Sequence, residues 1–120
     1  MKIGTIRLND QETVIARVDD AHAVALDTPS MEALIGDGDR ALDAARDTLE
    51  RAAAGRAPLV MLAGADWLAP NPRASKIVGC AVNNNRLNEV AYRPMKSPMF
   101  FLKGRSALTG HEKPIRIRAR

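Results

Sequence analysis

Two short apolar runs, residues 77–82 and 99–102, bracket a polar segment rich in asparagine. Each run has the length of a strand, and Gly, Pro or Asn bounds it, so the pair predicts two strands joined by a polar connection. Asn83, Asn84, Asn85, Asn88 and Glu89 fall on that connection. The second run leads into Lys103, Arg105, Ser106 and Thr109, all able to hold an anion. Two strands that carry a polar loop and a cationic lip make a site for a small acid. Two other readings stay open: the asparagines satisfy loop backbone, and Lys103 is simply on the surface. A lysine closing a buried strand is costly unless paired, and its partner would be a substrate carboxylate or an acidic residue.

The chain ahead of these runs reads as a compact α+β unit. Residues 2–8, 13–18 and 22–26 have strand patterning, and Asn9-Asp10 and Asp19-Asp20 give turns between them. Tight turns at short spacing predict an antiparallel meander. Ser30 N-caps a short helix that Gly36-Asp37-Gly38 breaks. A longer helix over 39–54 follows, with Leu42, Ala45, Leu49 and Ala52 on one stripe and Asp37 or Asp39 capping its start. Gly55 and Pro58 end it. Short strands are expected at 59–62 and 66–68, and Trp67 is expected to plug a seam between two halves. Pro70-Asn71-Pro72 reads as a linker, which divides the chain into 1–70 and 71–120. At the far end Ile115 and Ile117 alternate with arginines, so residues 114–118 predict a strand.

Composition narrows the function. The single cysteine, Cys80, excludes an internal disulfide and agrees with a reducing compartment. No apolar run has the length of a membrane span and no secretory h-region opens the chain, so a cytoplasmic location is expected, with no membrane partner. Residues 1–75 carry 8 Lys and Arg against 12 Asp and Glu, whereas residues 76–120 carry 10 against 2. A basic half can signal nucleic acid, an acidic substrate, or an acidic partner segment. The aromatic supply for a single-strand platform is thin: Tyr92, Phe100 and Phe101. The patch formed by Lys96, Lys103, Arg105, Lys113, Arg116 and Arg118 is therefore expected not to bind nucleic acid. There is no Walker loop, no dinucleotide-binding glycine motif and no zinc spacing. His22 opens a strand with no second His or Cys nearby in sequence, so it reads as structural.

Lys76-Ile77-Val78-Gly79, the Asn-bearing segment, Pro98 through Lys103, Ser106-Ala107-Leu108-Thr109-Gly110 and Pro114-Ile115 come in one order and spacing. In that order the stretch resembles the opening of the catalytic domain in the fumarylacetoacetate hydrolase family. The resemblance implies a small N-terminal meander with helices, followed by the first strands of a mixed β domain. It further implies a chain that stops before the family's metal-ligand motif. The family's activity is expected on a β-keto or 2-oxo acid, by C–C hydrolysis, hydration, decarboxylation or isomerisation in aromatic or sugar-acid catabolism. Mg²⁺ or Mn²⁺ is expected in the complete fold, and a homodimer in the full-length form. Family members use a Glu-x-Glu pair and a later Asp as metal ligands; this sequence has no Glu-x-Glu, so no metal ligand is assigned and the chain alone is expected to be inactive. The family's water-activating His and Glu fall at Asn85 and at Asn88 or Glu89. Asparagine does not titrate usefully as a base, so Glu89 is the candidate for proton handling beside Asn85. Lys103, Ser106 and Asn84 are the candidate substrate-binding residues. The rival reading is a non-catalytic basic module that binds nucleic acid or a protein.

Overall fold

The structure is a computed structural model that describes residues 1–81, 89, 97–115 and 117. It is mixed α+β and falls into two units: Met1–Arg73 with the described residues after 108, and Ala74–Leu108. Among the described residues no helix is long and apolar enough to cross a membrane.

The first unit contains β1 (Ile3–Leu8), β2 (Gln11–Arg17), β3 (His22–Ala25), α1 (Met31–Asp37), α2 (Asp39–Ala53), β4 (Val60–Met61) and β5 (Asp66–Trp67). The strands form one antiparallel sheet in the order β4-β3-β2-β1-β5. The β1–β2 turn is tight because Leu8 pairs with Gln11 and only Asn9 and Asp10 lie between them. Both adopt positive φ, 49° and 60°. That is the type I′ geometry, which Asn and Asp tolerate better than other side-chain-bearing residues. The β2–β3 turn is held by Asp19, whose Oδ1 accepts from the backbone N–H groups of Ala21 and His22, each at 2.8 Å. The His22 Nδ1 lies 2.9 Å from the same oxygen. The side-chain hydrogen bond to His22, then the backbone bond from Ala21, holds the Asp19 carboxyl below its ordinary value. His22 is thus a partner in the turn, as its position at a strand start predicts.

Register sorts the strand residues onto two faces. Ile3, Ala16 and Val24 share one. With Val14 and Leu26 they pack against Met31, Leu34, Ala45 and Ala52 from the helices. The stripe expected on α2 is this contact, with Leu42 and Leu49 at its margin. Ser30 caps α1, its Oγ accepting from the Ala33 N–H at 3.2 Å. The start of α2 differs from expectation. Gly38 is the N-cap and makes no side-chain bond. Asp37 instead pairs with Arg40 at 3.0 Å, and Asp39 is already in the first turn, where its charge suits the helix dipole. The other sheet face carries Ile6, Ile15 and Ala23, with Leu8, Val60, Leu62, Ala65 and Trp67 packed on it. Trp67 packs within the first unit. It pairs with Ile6 in the ladder, and a Cβ at Gly4 would stand 3.0 Å from its ring.

Residues 109–115 lie against the β5 edge. Gly110 is required there, since a Cβ would fall 1.8 Å from the Trp67 carbonyl oxygen. Asp66 takes an ion pair from Lys113 and a second from Arg7 at 3.4 Å. The Lys113 ammonium, then the Arg7 guanidinium, draws the Asp66 carboxyl below its ordinary 3.8. A depressed carboxyl contributes stability that is present above its unfolded-state value and lost as pH falls through its folded-state value. The melting-temperature gap between the parent and Asp66→Asn is therefore expected to be constant well above the 3.8 reference and to close as pH falls through and below it. A gap of unchanged size at pH 2 would remove the ion pairs from this account. Beyond this contact the strand expected over 114–118 is not formed at the described positions. Residues 114, 115 and 117 are in no strand, Ile115 and Ile117 are exposed, and residues 116 and 118 lie outside the described set. Alternation makes a strand only where a neighbour supplies the ladder bonds, and none pairs with these residues among those described.

The second unit is a two-stranded antiparallel ladder of β6 (Ile77–Ala81) and β7 (Met99–Lys103), followed by a 3₁₀ turn at Arg105–Ala107. Gly79 stands opposite Phe101, and a Cβ there would fall 2.2 Å from the ring, so the glycine makes room for the aromatic. The sequence predicts a buried strand at β6. Val78 is in fact 60% exposed, and every residue of β7 is exposed. Among the described residues no second layer covers these two strands.

Candidate functional site

The sequence places its candidate site on the hairpin, and the structure brings part of it together. The pairing of β6 with β7 puts Ile77 opposite Lys103, so Lys103 ends the ladder. Its Nζ lies 5.8 Å from the centroid of the Phe101 ring, within the range of a cation–π contact at an exposed position. This contact follows from the two-residue spacing, which sets Phe101 and Lys103 on one face of the strand. Gly104 then turns the chain extended, with φ −71° and ψ 157°. The 3₁₀ turn closes through Ala107 N–H to Gly104 C=O at 3.0 Å. Lys103, Arg105 and Ser106 are therefore gathered by the chain itself within one turn, and all three are exposed. Among the described residues neither Lys103 nor Arg105 has an ion-pair partner. Two cations and a hydroxyl in one turn can take a carboxylate by charge-assisted hydrogen bonds.

Of the remaining candidates on the connection, only Glu89 is among the described residues. Glu89 is in helical conformation and exposed. Asn84 and Asn85 lie outside the described residues, as do Asn83 and Asn88. Of the expected basic patch, Lys96, Arg116 and Arg118 also lie outside them. Cys80 is free and half-buried, and Phe100 stands opposite it in the ladder. Among the described residues no three His, Cys, Asp or Glu side chains converge as a metal site would require. Mg²⁺ and Mn²⁺ take oxygen ligands, in part from water, and no carboxylate cluster for the ion that the family resemblance implies is gathered among the described residues.

One feature escapes sequence reading altogether. A cavity of about 270 Å³ opens on the first unit beside Gly4 and Trp67. Its lining is drawn from the start of β1, the end of β2 and the segments around β4 and β5. Residues so far apart in sequence carry no shared motif.

Comparison with protein-family models finds no match, and comparison with curated proteins finds none either.

Proposed function

We propose that this chain is the N-terminal part of a fumarylacetoacetate hydrolase-like enzyme acting on a small β-keto or 2-oxo acid. What supports the reading is the hairpin. The two motif-bearing runs pair with each other from Ile77↔Lys103 to Ala81↔Met99, and the Lys103–Ser106 turn issues directly from that ladder. Exposed Val78, Phe100 and Leu102, at 60%, 64% and 69%, give the hairpin an apolar surface that a larger β domain would cover. On this reading Lys103 and Ser106, with Asn84, hold the substrate carboxylate. Glu89 moves the water proton, because Asn85 lacks a titrating group. The divalent cation has no ligand set among the described residues. Its carboxylates belong, on this proposal, to sequence beyond residue 120, in a homodimeric full-length protein.

The test is the continued reading frame. The expected result is a Glu-x-Glu soon after residue 120, and turnover of at least one β-keto or 2-oxo acid by the continued protein with Mg²⁺ or Mn²⁺. The 120-residue chain alone is expected to show none. A continued frame without the carboxylate pair, or one that turns over no acid of a broad panel, defeats the proposal. A gel shift whose affinity falls steeply with salt would favour the nucleic-acid module instead.

A further inference from the structure

The cavity beside Trp67 is lined wholly by residues of the first unit. Its floor is Gly4 and Ile15, which face each other across the β1–β2 ladder. Ile15 is 2% exposed, so the floor is core. The indole of Trp67 and the side chain of Leu62 wall the space. Lys2, Arg17 and Asp20 stand at its mouth. Backbone needs are met there, since the Arg17 N–H donates to the Lys2 carbonyl at 2.9 Å.

Two physical features choose the ligand. The interior is apolar and aromatic, while the mouth carries two cations and one anion, a surplus of one positive charge. Arg17 is ion-paired with Asp20, whose side chain is 95% exposed. An exposed pair of this kind holds weakly and yields to a better-desolvated partner. Drug-sized ligands occupy pockets of roughly 300–1,000 Å³, so about 270 Å³ suits a single ring. We propose that this cavity binds a small aryl carboxylate, its ring between Trp67 and Leu62 and its carboxylate on Arg17 and Lys2.

Trp67 is the only tryptophan of the chain, so its emission reports the site without labelling. The experiment titrates the 120-residue chain with phenylacetate and with the neutral isostere phenylacetamide. Amide shifts of Gly4 and Ile15 serve as a second readout. The expected result is a saturable change with phenylacetate, and binding of phenylacetamide weaker by about tenfold, the loss of one charge-assisted hydrogen bond. Arg17→Gln should weaken phenylacetate by a similar factor and Arg17→Lys should restore most of it. Circular dichroism checks that both variants keep the fold. Equal affinity for acid and amide, or an unchanged affinity in Arg17→Gln, overturns the assignment. So does a Trp67 signal that answers to protein concentration but to neither probe, which would mean that a second copy of the chain fills the cavity.

Discussion

Ile6→Ala is expected to lower the unfolding free energy by about 2–5 kcal/mol, the usual cost of truncating a buried branched aliphatic. Ile6 is 1% exposed. It pairs with Thr13 on one side and with Trp67 on the other, and it packs with Ile15 and Ala23. That face of the sheet has no helix over it among the packed residues; the β4–β5 segment covers it. Collapse around a deleted Ile6 side chain is limited, because its neighbours are ladder residues fixed by strand pairing. Small domains have only about 5–15 kcal/mol in total, so the variant should melt about 8 °C or more below the parent. Urea unfolding followed by Trp67 emission measures the loss where it occurs. The slope with denaturant should stay the same while the midpoint falls. Ile115→Ala is the control: at 81% exposed it should shift stability by no more than about 0.5 kcal/mol. If the two substitutions cost the same, the second sheet face is not a core.

Lys103→Met is expected to cost about tenfold or more in kcat/KM in the continued enzyme of the proposed function, with little change in melting temperature. Lys103 is exposed, ends the β7 ladder, and has no carboxylate partner among the described residues. Among the described residues its ammonium lies over the Phe101 ring at 5.8 Å, which a methionine stem can still touch. Folding should therefore tolerate the change. A charge-assisted hydrogen bond to a substrate carboxylate is worth about 1.5–3 kcal/mol, and 1.4 kcal/mol is tenfold in rate. The two quantities to measure are kcat/KM and the melting temperature. A kcat/KM within about threefold of the parent denies Lys103 a role in substrate charge. A collapse of the melting temperature would instead make it a structural partner.

The meander, both helices and the short edge strands were legible in the sequence because their signals are local. Asn9-Asp10 and Asp19-Asp20 specify their turns by φ tolerance and by side-chain bonds to nearby backbone. The α2 stripe follows from a 3.6-residue period. The strands at 77–81 and 99–103 were legible as two bounded apolar runs, whereas their pairing with each other came only from the structure. Where local signals failed, the deciding partner was distant. Alternation at Ile115 and Ile117 could not make a strand without a neighbouring edge. For Trp67 the partner was Gly4, sixty-three positions away, on which its ring rests. Lys103 looked costly because apolar neighbours suggested burial, yet every residue of β7 is exposed. The Asp66–Lys113–Arg7 pairs and the cavity at Arg17, Leu62 and Trp67 have no sequence signature at all. Sequence determined which segments pair or coil, because those choices rest on turn chemistry and periodicity within a few residues. Tertiary structure alone decided which charges meet and where a cavity opens, because both depend on the register and curl that bring remote strands together.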